Sequence, residues 1–123
     1  MKTMMFVLAA AAVADCAATP VPADKLARAQ AAVRTAEAMP QASTDPRAAK
    51  HLQLAKEQLD HAKKLMTKGD NSAARWALMR AEADGEAALY LGHAQAAKSD
   101  AQTTLDQVRQ AMSTMQQQEG GGK

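Results

Sequence analysis

The side chains that could bind a metal ion are few and scattered. The chain has three histidines, His51, His61 and His93, and a single cysteine, Cys16. Two histidines share a metal on one helix when they are four residues apart, whereas His51 and His61 are ten apart. His93 lies in another segment, and no cysteine or acidic cluster completes a ligand set. We therefore interpret the histidines as surface residues and expect no metal and no cofactor.

The acidic residues do not form an acid–base pattern either. Glu82, Asp84 and Glu86 alternate along one segment, and on a helix such residues point in different directions. No glycine-rich loop follows a strand pattern, so the sequence gives no support for nucleotide binding. We expect these three side chains to be solvated, with no catalytic residue and no enzyme activity.

Cys16 is the one residue for which the sequence predicts a chemical modification. It follows Lys2 and an apolar run over residues 4–14, which is the order of a secretory signal. The run is about half of the ~20 residues that a membrane-spanning helix needs. Val13-Ala14-Asp15-Cys16 resembles the bacterial lipobox, in which the cysteine becomes the acylated first residue of the mature protein. We expect a signal peptide at 1–15 and lipidation of Cys16.

Asp15 leaves an alternative open, because the lipobox has a small residue at that position. A cut after Ala14 makes Asp15 the first residue and leaves Cys16 as a free thiol, in a soluble periplasmic protein. For a lipoprotein, Ala17 differs from the aspartate that retains such proteins in the inner membrane. By resemblance to that sorting rule, we expect the periplasmic side of the outer membrane.

Composition favours a small all-α protein. The 123 residues suffice for one domain, and 15 basic residues nearly balance 13 acidic ones without a basic stripe, which argues against nucleic acid as a partner. Aromatic residues make up only 2% of the chain, and alanine is common. Alanine has the best helix propensity but adds little buried area, so such helices must pack closely.

Stop and start signals predict three helices. An extended tether at 16–22 leads to the first, at 23–39, and a loop at 41–44 follows Pro40. Asp45-Pro46 begins the second helix, and Gly69, with Asp70 or Asn71 after it, turns the chain into the third. Small residues in the first half of the third helix predict tight antiparallel packing on the second: Ala74, Ala77, Ala81, Gly85, Ala88 and Gly92.

The third helix, predicted over 72–118, is longer than the others can cover. Its ~47 residues reach about 70 Å, whereas the second helix reaches about 33 Å. An apolar pattern with steps of three and four continues through its second half: Ala87, Leu91, Ala94, Lys98, Ala101, Leu105, Val108, Met112 and Met115. We expect a coiled-coil arm followed by a flexible tail at 119–123. The alternative is a break near Lys98, where Ser99 and Gln102 could form a capping box.

The arm predicts a partner, because its apolar residues have none within the chain. We assign partner binding to Leu105, Val108, Met112 and Met115, in a homo-oligomer or with another envelope protein. Trp76 and Tyr90 share a face, being fourteen residues apart. They either fill space between helices or serve as a partner contact. The expected function is structural or scaffolding, and the alternative is a soluble module that binds a peptide or protein in the hairpin groove.

The chain resembles the family known as domain of unknown function 4398, over about residues 22–92. The carrying motifs are Asp45-Pro46 and Lys68-Gly69-Asp70, with small and apolar residues at helical spacing around them: Leu26, Ala29, Ala36, Leu52, Ala55, Leu59, Ala62, Ala73, Ala77, Ala81, Asp84 and Ala87. Members look like exported, often lipidated proteins. The resemblance therefore implies a helical module in the cell envelope.

Overall fold

The computed structural model describes residues 19–120, and this part of the chain is all-α. It contains four helices: α1 (Ala23–Glu37), α2 (Pro40–Thr44), α3 (Pro46–Thr67) and α4 (Asn71–Gly120). α3 and α4 form an antiparallel hairpin, and α1 packs against it. The predicted three-helix unit with a long last helix is confirmed. The predicted signal peptide at 1–15, Cys16 and residues 121–123 lie outside the described residues.

α3 begins where the Asp-Pro pair predicts. The Asp45 carboxylate oxygen Oδ1 accepts hydrogen bonds from the backbone N–H groups of Arg47, at 2.9 Å, and Ala48, at 3.0 Å. Pro46 follows as the first helical residue, where its missing N–H is not needed. Both features act within one turn of the chain, so the residue types alone predict them.

The turn from α3 into α4 also matches the prediction. Gly69 has a φ of +79°, in the left-handed region. The N–H of Asp70 donates to the carbonyl of Leu65 and the N–H of Gly69 donates to that of Met66, both at 3.0 Å, which is the Schellman arrangement. The Asp70 carboxylate then caps α4 by accepting from the N–H of Ala73 at 3.1 Å.

The predicted loop at 41–44 is wrong, because these residues form the short helix α2. Pro40 ends α1 and also stands first in α2, a position that its fixed φ suits. The hydroxyls of Ser43 and Thr44 donate to the Pro40 carbonyl at 2.8 and 3.3 Å. Ala42 is completely buried, so packing against the hairpin stabilises a helix too short to form alone.

Residues 19–22 are the described part of the predicted tether. They form no regular secondary structure, but they are held against the hairpin. Pro22 is fully buried, and the Asn71 side-chain nitrogen donates to the Thr19 carbonyl at 2.8 Å. The chain entering α1 is therefore fixed beside the first turn of α4.

The core is thin and mostly alanine. Among residues 19–120, Leu78 of α4 is the only leucine whose side chain is fully buried, and Leu52 and Leu59 of α3 are nearly so. The other members are small: Ala29, Val33, Ala36, Ala55, Ala62, Ala77, Ala81 and Ala88. Close approach of the backbones replaces side-chain volume here, as the composition predicts.

The two glycines within the core face of α4 correct one detail of the predicted packing. A Cβ on Gly85 would lie 2.9 Å from the Cβ of Ala32, on α1. A Cβ on Gly92 would lie 3.1 Å from the backbone nitrogen of Ala42, on α2. The lack of a side chain at these two glycines thus lets α1 and α2 pack closely on α4, whereas the sequence suggested close packing of α3.

Candidate assembly surface on the long helix

α4 extends far beyond the helices that pack on it. Its 50 residues span about 75 Å. Gly92 is its last buried residue, and every residue from 99 to 120 is exposed. The helix passes Lys98 without a break, so the alternative of a fold-back there is wrong. It continues to Gly120, so residues 119 and 120 of the predicted tail are helical.

The four residues assigned to partner binding lie together on this arm. Leu105, Val108, Met112 and Met115 are 50–57% exposed. Steps of three and four place them on one face of α4. The arm therefore presents a continuous apolar strip that no other described part of the chain covers.

Trp76 and Tyr90 do not fill space between the helices. They are 63% and 72% exposed, so that interpretation is wrong. Successive helical residues are about 100° apart, and both aromatic side chains lie roughly opposite the buried face of α4. That buried face consists of Ala74, Ala77, Leu78, Ala81, Gly85, Ala88 and Gly92.

The aromatic pair and the arm belong to one surface, which we call the outer stripe. It runs along α4 within a sector of about 80°, on the side opposite the buried face. Every residue of α4 between Trp76 and Met115 that falls in this sector is uncharged: Trp76, Met79, Ala83, Ala87, Tyr90, Ala94, Ala97, Ala101, Leu105, Val108, Met112 and Met115. All of them are exposed except Ala87, which is half-buried.

Sequence reasoning missed the outer stripe because it followed the arm's pattern through Leu91 and Lys98. Both residues lie just outside one edge of the sector, whereas Ala97 lies within it, at the other edge. The signal was present in the steps of three and four that lead from Ala83 through Tyr90 to Ala101. The direction of the core was needed to show which of the two neighbouring patterns faces outward.

One predicted surface residue has a defined partner. His51 Nδ1 on α3 lies 2.8 Å from Asp84 Oδ1 on α4. The two side chains are 40% and 25% exposed, so Asp84 is not the freely solvated residue that the sequence suggested. They join two helices, and no third ionisable group among residues 19–120 forms an ion pair or hydrogen bond with either of them. In the described part of the chain, no three His, Cys, Asp or Glu side chains come together to hold a metal ion.

In the part of the chain that the structure describes, Asp45 is the one residue whose carboxyl pKa is clearly shifted. The backbone N–H of Ala48 is the main cause, and the N–H and guanidinium of Arg47 act in the same direction. Together they outweigh burial and hold the pKa of Asp45 below its ordinary value of 3.8. The carboxylate caps α3, so the shift has a structural cause.

Within residues 19–120, no helix is both long enough and apolar enough to span a membrane. The apolar residues of α4 occupy narrow faces of a helix that is otherwise polar.

The fold and the outer stripe define a small all-α module whose long helix projects from an alanine-packed bundle. The family model described as Domain of unknown function (DUF4398) matches residues 24–104, and the chain belongs to this family. No curated protein and no solved structure matches the chain. The matched segment ends before Leu105, so the four arm residues lie outside it.

Proposed function

We propose that this chain is a non-enzymatic lipoprotein of the bacterial cell envelope that acts as a scaffolding module through its projecting helix. We assign the lipid to Cys16 because a signal-like segment precedes it in the sequence. Assembly is assigned to the arm, and the observation that carries it is the exposure of Leu105, Val108, Met112 and Met115. The outer membrane, facing the periplasm, is the proposed location.

The energetic argument rests on half-exposed apolar side chains. Burying a Val, Leu or Met side chain completely is worth about 1.5–3 kcal/mol. The four arm residues are about half exposed, so covering them gains roughly 3–6 kcal/mol per chain, before the entropy of association is subtracted. A partner helix is the natural cover for a strip of this shape.

The attachment end and the arm lie at opposite ends of α4. Asn71, at the start of α4, contacts Thr19, and Cys16 precedes Thr19 by three residues. Three residues reach at most about 11 Å, so a lipid on Cys16 is tethered near the first turn of α4. The tip of the arm is about 75 Å away along the same helix.

The lipid is tested by the intact mass of the full chain recovered from bacterial membranes. We expect a mature protein that begins at Cys16 and carries a diacylglycerol-sized addition, and Cys16→Ser serves as the control that cannot be acylated. A mass that corresponds to an unlipidated chain beginning at Asp15 would refute the proposed lipid anchor.

The arm is tested by sedimentation equilibrium in density-matched detergent. Leu105→Asp with Met112→Asp should convert the oligomer to monomer while the hairpin stays folded, and the unfolding midpoint should fall only by the stabilisation that association provided. The matched control is Thr103→Asp with Gln110→Asp, which adds the same charges at the same spacing on the opposite face of the arm. Normal association of the first variant would show that the arm is not the interface.

A second candidate function is a soluble periplasmic module that binds a peptide or protein. The exposure of Trp76 and Tyr90 favours it, because these residue types are frequent anchors of interfaces. An unlipidated chain that stays monomeric at all concentrations would favour this candidate over the scaffold.

A further inference from the structure

We infer that the partner of the outer stripe is a second copy of this chain, whose α4 runs antiparallel to the first along the whole stripe. This inference rests on the proposed function, since it names the partner of the same arm. It extends the contact surface from the arm back to Tyr90 and Trp76.

The sizes of the side chains along the outer stripe set the direction. Alanine occupies most of its middle, whereas its distal end has Leu105, Val108, Met112 and Met115. Helices pack 8–10 Å apart, depending on the side chains between them. Between the two ends of the stripe, two copies pack evenly only if the large residues of one meet the small residues of the other, whereas at the ends Trp76 and Met79 meet large residues of the partner.

Complete antiparallel overlap of α4 produces this match. Because the helix runs from Asn71 to Gly120, the numbers of two residues that lie opposite each other then add up to 191. Two contacts follow in which a large side chain meets an alanine: Tyr90 with the partner's Ala101, and Ala83 with the partner's Val108. Ala87 lies one residue out of register with the partner's Leu105, because their numbers sum to 192. Ala94 meets the partner's Ala97 at the centre.

The ends of the outer stripe agree with the same register. Trp76 lies opposite the partner's Met115, and Met79 lies opposite the partner's Met112. Methionine sulfur makes favourable contacts with aromatic rings, and its flexible chain adapts to an uneven neighbour. The register that overlaps the two helices completely is thus also the one that joins the two ends of the stripe.

Parallel pairing gives a poorer fit. Symmetry then places each residue opposite its own copy, so Ala94, Ala97 and Ala101 face alanines between a pair of tyrosines and a pair of leucines. The spacing would have to be wide at Tyr90, narrow over three layers and wide again at Leu105. Such uneven spacing leaves gaps, and each gap forfeits packing energy.

The contact is large enough for a stable pair. The outer stripe runs about 60 Å along α4, and a helix is about 10 Å wide. Each partner therefore contributes roughly 600 Å², about 1,200 Å² in total, which reaches the lower limit of stable specific interfaces. α1 and α3 do not obstruct this contact, because they pack on the opposite side of α4.

Antiparallel pairing has a consequence for attachment. The two Thr19 residues lie at opposite ends of the pair, about 75 Å apart. A pair with both lipids in one membrane therefore lies along that membrane.

Disulfide cross-linking in membranes tests the direction. Ala83→Cys and Val108→Cys are introduced separately into the full chain, and each is oxidised alone and after co-expression with the other. Both positions are exposed, so folding is not at risk. Wild-type membranes, in which Cys16 is the only cysteine, give the background.

The antiparallel pair predicts a cross-linked dimer only when the two variants are combined. With Val108→Cys alone, the two thiols are about 37 Å apart along the helix, far beyond the ~7 Å that a disulfide allows between Cα atoms. A cross-link from Val108→Cys alone would show parallel pairing, which overturns this inference and leaves the proposed scaffold standing. If no cross-link forms but sedimentation shows an oligomer, the antiparallel inference is also overturned. If no cross-link forms and sedimentation shows a monomer, both the inference and the proposed scaffold are overturned.

Discussion

His51 on α3 and Asp84 on α4, 33 residues apart in the chain, meet at 2.8 Å and join the two helices of the hairpin. The pair stands at the boundary between core and solvent. It is the clearest contact between ionisable side chains of α3 and α4.

The His51–Asp84 pair should contribute a small coupling energy. A double-mutant cycle with His51→Ala and Asp84→Ala should give about 0.5–1 kcal/mol, because both groups are partly exposed and solvent screens their attraction. Urea unfolding of the four proteins measures it. The control cycle uses His93→Ala and Glu86→Ala, which have the same chemistry and no contact, and should be additive. A coupling of zero for His51 and Asp84 would show that their contact adds nothing.

Stability should fall at acid pH in part through Asp45. The pKa of Asp45 is depressed in the folded chain, so its contribution is present above the ordinary value of 3.8 and is lost as pH falls through the lower folded value. Asp45→Asn keeps a capping oxygen but cannot titrate. We therefore expect the variant to lose less stability than wild type between pH 5 and pH 2, as measured by urea midpoints. Equal losses would mean that Asp45 does not contribute.

Gly85 should resist substitution, because a Cβ there would lie 2.9 Å from the Cβ of Ala32 and 3.2 Å from the backbone nitrogen of Val33. Gly85→Ala must push α1 away, and we expect a loss of about 1–3 kcal/mol, reduced by the better helix propensity of alanine. Thermal unfolding measures the loss. The control is Gly120→Ala, where a Cβ has no neighbour within 4 Å and no loss is expected.

The contact with Ala32 can be tested from its other side. If the Cβ–Cβ contact is the cause, Gly85→Ala should cost less in a chain that already carries Ala32→Gly. An unchanged cost in that background would point instead to the α1 backbone.

Gly69 should be restricted by its backbone rather than by space. No atom lies within 4 Å of a Cβ at this position, but the φ of +79° is unfavourable for residues with a side chain. Gly69→Ala should cost about 1–2 kcal/mol, and Gly69→Asn should cost less, because asparagine tolerates the left-handed region. Chemical unfolding compares the two variants. An equal cost would show that φ is not the limiting factor.

Residue types alone suffice to predict the local features of the fold. Asp45-Pro46 begins α3, Gly69 and Asp70 make the turn, and the absence of proline after Pro46 lets α4 run to its end. Each of these depends on hydrogen bonds or backbone angles within a few residues, so the residue types suffice to predict it. The exposed arm also follows from lengths alone, since α4 is more than twice as long as α3.

Which surfaces meet depends on the tertiary structure. It formed α2 at 40–44 by burying Ala42, held Thr19 against Asn71, and turned Gly85 toward α1. It also showed that Trp76, Tyr90 and the arm share one outward face. In an alanine-rich chain several faces of a helix have nearly the same apolar pattern, and only the packing of α1 and α3 on one face of α4 leaves the opposite face free.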